Sequence, residues 1–401
     1  MSDSIPPALL DQLRKDHEEI VQYLMKNEFD IQDIPLERKA IREEGESFSL
    51  AYPIQGILKY HGFVGDPKNR IAYFPSISFN NTCASTVSYL KFDKKFKKDS
   101  AYINGEQVFG EKSKRIEFAL DFIRDYSNFN TKATLISRNI INYDTISEIG
   151  KGLGTSASGS AALALAASSI IYDNNPDYIK NERLMSIFSR YLSGSGCRSA
   201  TGGFSLWLSH PKIQSMNCYA LRLNKKQHES FIEDISLLTI PIQSELKTTQ
   251  AHEIAQKSPF FYSWLKQRKD KIINFIDALN NHDFDKIGEL AEFDTLCLHS
   301  IAMTAPNNEN IIAWKPETLE IMLKIRELRK EGYRAYYSID TGPSVVILTQ
   351  TNEKREIKEK IQSINSSFNI IEGKIGGPSK LLDMKTREVQ LLEKDIQEFL
   401  E

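Results

Sequence analysis

Residues 149–160 read IGKGLGTSASGS and run without interruption into AALALAASSII. Small, flexible residues followed by an uncharged apolar stretch predict a loop that opens a helix. The first turn of a helix leaves backbone N–H groups without partners and carries the positive end of the dipole, which makes such a loop an anion site. Gly152 and Gly154 let a ligand approach the backbone, and the hydroxyls of Thr155, Ser156 and Ser158 add donors that rotate to suit phosphate oxygens. A phosphorylated ligand is therefore expected at 152–158. The pattern is neither GxxxxGK[ST] nor GxGxxG with a downstream acid, the two common phosphate loops.

At 401 residues, 41% of them hydrophobic, the chain exceeds what one core usually supports, and two domains are expected. With 51 basic against 53 acidic residues, a net charge of −2 and no basic run, nucleic-acid binding is not expected. Met1–Pro7 lacks a basic start and an apolar signal core, and no apolar run approaches membrane-spanning length. The expectation is a soluble, cytoplasmic protein with no membrane partner. Cys83, Cys197, Cys218 and Cys297 are scattered, without a CxxC pair or a histidine at ligand spacing, so reduced thiols and no metal centre are expected.

Leu9, Leu13, Ile20 and Leu24 share one face of a helix over 7–26, with Pro7 suited to its first turn. Residues 1–48 are read as an N-terminal helical extension. Strand candidates follow in AYPIQGILKYHGF, IAYFPSISF and STVSYLKF, with a YING hairpin, a helix over 115–127, a strand at TLISRNI, the Gly/Ser loop and a helix near 181–193. From about 230 the chain restarts with DISLLTIPI, helices across 245–302, the well-signalled helix KPETLEIMLKIRELRKEG, strands AYYSID and SVVILT about a TGP turn, and a last helix over 378–400. Strands and helices mix without regular βα alternation, which predicts an α+β fold divided into 49–225 and 226–401.

Lys59 in GILKYHG, Arg198 in SGSGCRS and Asp340 in YSIDTGPS come from distant segments, each flanked by glycine or a turn. Singly, each has an ordinary explanation: a solvated charge, an ion-pair partner, a turn cap. Arg198 differs in that small residues precede it and Gly202–Gly203 follow, leaving room for an anion at the guanidinium.

Taken with the Gly/Ser loop, these segments resemble the mevalonate decarboxylase family of the GHMP superfamily. The family's KYWGK strand end, Asn/Ser turn, GLxSSAS loop, SGSxCRS..GGF segment and late DAGPN are matched in order by KYHGF, FNNTCAST, GLGTSASG, SGSGCRSATGGF and IDTGPS, over roughly 50–350. SPFFYSW at 258–264 and the segment from His299 to Met303 add to the likeness. The resemblance implies a ribosomal-protein-S5-like N-terminal domain, a ferredoxin-like C-terminal domain and an active site in the cleft between them. It also implies joint loss of a phosphorylated tertiary 3-hydroxyl and a carboxylate, leaving an alkene. A tertiary centre losing phosphate develops positive charge, so the site must hold a departing anion, neutralise a carboxylate and tolerate a cation between them. By that likeness Lys59 and Arg198 bind the carboxylate and leaving phosphate, and Asp340 sits opposite the reacting carbon. Tyr60, Ser156 and Ser158 are candidates for positioning phosphates, with Ser195 and Ser199 as further candidates.

Two departures bear on which member this is. ATP-using members usually carry an asparagine five residues before the first lysine and a second lysine four residues after it; Ile54 and Phe63 stand there instead. Loss of these polar groups with retention of Lys59, Arg198 and Asp340 resembles the ATP-independent mevalonate 3,5-bisphosphate decarboxylases of archaeal, Thermoplasma-type pathways. The N-terminal extension points the same way. That reading expects no cofactor and a small phosphorylated, mevalonate-derived substrate giving isopentenyl phosphate, with a homodimer as one arrangement it admits. The competing readings are an ATP- and Mg²⁺-dependent decarboxylase of phosphomevalonate or diphosphomevalonate, a kinase, which the retained Lys59 opposes, and a non-catalytic sensor on the same fold. His61, His299 and the GKIGGPSK segment at 373–380 are each read as either ligand contacts or packing. For 373–380 the favoured reading is the turn that starts the last helix.

Overall fold

Strands Gly45–Ala51, Ala84–Phe92 and Ala133–Ile141 are buried on both faces over most of their length, their serines and threonines included. The computed structural model describes residues 6–141, 153–246, 248–306 and 309–400; residues 149–152 of the Gly/Ser loop, Gly152 among them, lie outside these. A six-stranded sheet runs in the order Lys380–Leu381, Gly45–Ala51, Ala84–Phe92, Ala133–Ile141, Ser100–Ile103, Glu106–Gln107. All of its pairings are antiparallel except that of Ser100–Ile103 with Ala133–Ile141. The uncharged helix Thr155–Ile171 covers one face, and its alanines and serines let it fit between the sheet and helices Glu182–Leu192 and Gly196–Thr201. The Ser49 hydroxyl bonds the Ala162 carbonyl at 2.8 Å across that interface. On the other face Val389 and Leu392 of helix Arg387–Leu400 pack with Phe48, Val87, Tyr89 and Ile136.

A second sheet of eight strands carries the order Tyr219–Arg222, Phe204–Leu208, Ser76–Asn81, Ile371–Gly376, Ile235–Ile240, Val345–Gln350, Ala335–Ser338, with Ile54–Leu58 also paired to Ser76–Asn81. The expected α+β mixture is present, but the division at 225 does not separate the sheets. Ile371–Gly376 lies between a strand of the first half and one of the second, pairing Ile375 with Asn81 and Leu237 with Gly373. Lys380–Leu381 then joins the first sheet.

The expected last helix over 378–400 is therefore corrected to Arg387–Leu400, and 373–380 is strand and backbone contact rather than a helix start. Its glycines permit main chains to touch: Gly202, at φ +71°, approaches so closely that a Cβ on it would lie 2.2 Å from the Gly377 carbonyl carbon. The Gly203 N–H donates to the Gly376 carbonyl at 2.8 Å, and Asn80 Nδ2 donates to the carbonyls of Ser199 and Gly377.

The extension's helix, Pro7–Lys26, forms where its periodicity predicts it and buries Leu9, Leu13, Ile20 and Leu24. It packs on Arg268–Asn280 of the second half, where Lys269 meets Asp16 at 3.6 Å and Glu19 at 2.7 Å. Among the described residues no helix is long and apolar enough to cross a membrane.

Candidate active site

Strand Ile54–Leu58 has an irregular register against Ser76–Asn81 between Gly56 and Leu58, and Lys59 leaves its end buried. Both backbone groups of Lys59 are held by one buried ion pair. Its N–H donates to Asp294 Oδ2 at 2.5 Å, its carbonyl accepts from Arg268 Nη2 at 2.8 Å, and Arg268 Nη1 closes the pair with Asp294 Oδ1. The ammonium donates to Thr295 Oγ1 at 3.1 Å and Ser338 Oγ at 3.0 Å, so two of its three protons go to neutral hydroxyls. Ser338 in turn donates to the Gly56 carbonyl at 2.5 Å, and Thr295 to that of Ala291 at 2.8 Å. Burial pushes the Lys59 pKa down, opposed by the charges of Asp294 and Asp340.

Asp340 follows strand Ala335–Ser338 at the TGP turn and stays half-buried. Its Oδ1 accepts the Gly56 N–H at 3.2 Å, and its carbonyl accepts from His299 Nε2 at 2.8 Å, which fixes His299 as the Nε2–H tautomer. Desolvation raises the Asp340 pKa, while Lys59 and then Arg198 hold it down. Burial and the nearby Lys59 charge lower His299 to about 4.

Arg198, on the short helix Gly196–Thr201, is 1% exposed. Its Nη1 donates to Ser76 Oγ at 3.0 Å, and its guanidinium lies 5.3 Å from the Tyr60 ring centre and 5.8 Å from that of Trp207. No carboxylate forms an ion pair with it among the described residues. A buried cation held by one hydroxyl and two aromatic faces is costly until an anion joins it. The Tyr60 hydroxyl shares a hydrogen bond with Ser195 Oγ at 3.2 Å.

The structure thus gathers Lys59, Asp340, Arg198, Tyr60 and Ser195. It turns two other candidates inward. Ser158 is fully buried and bonds Thr86 Oγ1 at 2.6 Å and the Thr155 carbonyl at 3.0 Å; Ser199 donates to the Tyr52 carbonyl at 2.6 Å. Gly154, at φ +71°, precedes the helix, with half-buried Thr155 and exposed Ser156 following. Ile54 is 8% exposed, and its carbonyl lies where a Cβ on Gly154 would approach to 3.3 Å. Phe63 packs on Tyr60 at 5.5 Å and His252 at 5.1 Å between ring centres. His61 is buried with neither ring nitrogen partnered, beside His252 at 5.7 Å.

Sequence reasoning missed Asp294, Arg268, Thr295, Ser338, Ser76 and His252. For Asp294, Thr295 and His299 a signal existed: three polar residues on the apolar face of helix Phe284–Met303. Arg268, within KQRKD, looks like any surface charge. Among the described residues no group of three or more His, Cys, Asp or Glu side chains could hold a metal ion. The arrangement offers anion binding at two buried cations, with one carboxylate facing them.

Residues 51–220 match the family profile described as diphosphomevalonate decarboxylase-like N-terminal domain. The chain is 30% identical to mevalonate 3,5-bisphosphate decarboxylase of Thermoplasma volcanium, over 82% of each protein. It is also 30% identical to phosphomevalonate decarboxylase of Haloferax volcanii, over 83% of this chain and 96% of that one. The crystal structure of mevalonate diphosphate decarboxylase from Staphylococcus aureus shares the fold with a TM-score of 0.74 at 23% identity, covering 85% of this chain and 98% of that chain.

Proposed function

The chain belongs to the mevalonate decarboxylase family of the GHMP superfamily, carboxy-lyases of phosphorylated mevalonate in isoprenoid synthesis, and on that premise we propose that it converts mevalonate 3,5-bisphosphate to isopentenyl phosphate without ATP. The C3–O bond breaks with its electron pair leaving on phosphate. The C1–C2 bond breaks with its pair entering the new C=C bond, and carbon dioxide departs. Lys59 and Arg198 neutralise the substrate carboxylate and the leaving phosphate, and Asp340 offers negative charge to the carbon that becomes electron-poor. Lys59 keeps one ammonium proton beyond those given to Thr295 and Ser338, and Arg198 gives one donor to Ser76, which leaves donors for two anions. Asp340 must be ionised for this role; burial opposes that by raising its pKa, and the charges of Lys59 and Arg198 favour it.

The observation that carries the ATP-independent reading is the apolar packing of Ile54 and Phe63 beside an intact Lys59, Arg198 and Asp340. Where ATP-using relatives place an amide and an ammonium, this chain has an aliphatic and an aromatic side chain. The phosphate to be expelled is then already on the substrate, and no step remains that needs a nucleotide.

The test is release of carbon dioxide and inorganic phosphate from mevalonate 3,5-bisphosphate by enzyme stripped of nucleotide. Turnover unchanged by added ATP and Mg²⁺ is expected. A protein that is inert towards this substrate but converts mevalonate 5-phosphate once ATP and Mg²⁺ are added would instead share the activity named for the Haloferax relative. Inertness under both conditions would favour a ligand sensor.

A further inference from the structure

The segment Asp66–Arg70 folds as a single 3₁₀ turn, Pro67–Asn69, whose Lys68 N–H donates to the capping Asp66 Oδ1 at 2.9 Å. Arg70 leaves it at φ +49°, a conformation that residues with a Cβ adopt at a cost. Two contacts hold it there. Arg190, fully buried, donates to the Asn69 carbonyl and to the Ser215 carbonyl and hydroxyl at 3.0 and 2.8 Å. On the other side Ile71–Ala72 pairs with Phe63–Val64, which brings Arg70 beside Phe63.

The Arg70 guanidinium lies over the Phe63 ring, 5.4 Å from its centre, and its Nε is buried without a partner. Arg70 interacts electrostatically with Tyr60 and Arg115, and Arg115 spends one donor on the Leu192 carbonyl at 2.9 Å. Asp66 and Glu111 attract Arg70 and Arg115 respectively, and neither forms an ion pair with it among the described residues. The guanidiniums of Arg70, Arg115 and Arg198 each interact electrostatically with Tyr60, that of Arg198 from 5.3 Å over its ring and that of Arg70 from its place over the neighbouring Phe63, and among the described residues no carboxylate forms an ion pair with any of the three. Burial and mutual repulsion make that arrangement unfavourable in the empty protein and favourable to a multiply charged anion.

We propose that Arg70 is a substrate-binding residue for the phosphate remote from Asp340, and that Phe63 serves as the platform aiming it. In this arrangement the positive charge missing from position 63 arrives from the 66–70 turn. The proposal rests on the reading that the cleft takes a phosphorylated mevalonate. Arg70 also differs in kind from a lysine, since a planar guanidinium stacked on a ring presents an edge of paired donors to phosphate.

Calorimetric titration with isopentenyl phosphate tests the site apart from turnover. Arg70→Gln should weaken binding by at least about tenfold, the scale of one charge-assisted hydrogen bond, and Arg70→Lys should weaken it less. Lys68→Gln, the same charge change in the same turn, should leave binding within about twofold. The double variant Arg70→Gln/Phe63→Lys should regain most of the affinity, and that outcome also separates a lost contact from a damaged fold. Equal affinity in wild type and Arg70→Gln, failure of the double variant to recover, or no binding by wild type would each overturn the proposal. In turnover the effect should fall on KM with kcat nearly unchanged. Arg70-dependent binding in a protein that proves to need ATP would leave this inference standing while the ATP-independent reaction fails.

Discussion

The carboxylate of Asp340 and the aliphatic stem of Lys59 converge over the α-carbon of Gly56: a methyl group placed there would lie 2.9 Å from Asp340 Oδ1 and 2.7 Å from Lys59 Cγ. The absence of a side chain at Gly56 lets the strand bring opposite charges together from two halves of the chain. Gly56→Ala should lower kcat by at least about tenfold, because a displacement of an ångström at reacting groups is costly. Its stability cost should be about 1–3 kcal/mol, as for other overpacked sites. Steady-state kinetics and urea unfolding of the same preparation check both numbers.

Asp340→Asn keeps the shape of the side chain and an oxygen for the Gly56 N–H, while removing the charge. The expected loss is about a hundredfold or more in kcat, the scale of one misplaced electrostatic group in a transition state. Affinity for isopentenyl phosphate, which lacks the electron-poor carbon, should change only a few-fold. A variant that keeps wild-type kcat would remove Asp340 from the chemistry.

Arg198 and Arg268 are both buried guanidiniums, yet their replacement should have opposite effects on stability. Among the described residues Arg198 has no carboxylate bonded to it, so Arg198→Met relieves an uncompensated charge and should leave melting temperature unchanged or raised while abolishing turnover. Arg268→Met strands Asp294 and should cost about 3–5 kcal/mol. Calorimetric melting of the two variants side by side provides the comparison.

His299, held near pKa 4 in the fold against an ordinary 6.5, binds fewer protons folded than unfolded between those values. Its contribution to stability is complete above about pH 6.5 and is lost as pH falls towards 4. At roughly 1.4 kcal/mol per pH unit this amounts to about 3–4 kcal/mol. His299→Gln, which can still donate to the Asp340 carbonyl, should lose correspondingly less stability than wild type between pH 7 and 4.5. Identical acid slopes in urea titrations would contradict the assignment.

Lys59, Arg198 and Asp340 were legible as candidates only as a set, through the resemblance they carry together with the Gly/Ser loop, since singly each had an ordinary explanation. Arg268 and Asp294 were not, since their meaning comes from a pairing that crosses from helix Arg268–Asn280 to helix Phe284–Met303 and closes on the main chain of residue 59. Ser158 illustrates another limit. In a run of serines at a helix start, the turn of the helix decides which hydroxyl faces outward, and here Ser158 falls on the side of Thr86 while Ser156 is exposed. Ile371–Gly376 offered little local signal, with two glycines in six residues, and its neighbours in the sheet lie far away in sequence.

The position of that strand also sets an order of events in biosynthesis. The eight-stranded sheet closes only when Ile371–Gly376 inserts between Ser76–Asn81 and Ile235–Ile240, so almost the whole chain must leave the ribosome first. Until then the edge of Ile235–Ile240 away from Val345–Gln350 lacks its partner, as does the Asn80–Asn81 end of the neighbouring strand, and an open edge is a template for another nascent chain. Such late, long-range closure is slow, and it leaves the partly made protein exposed to aggregation at the stage when its future cleft is still open.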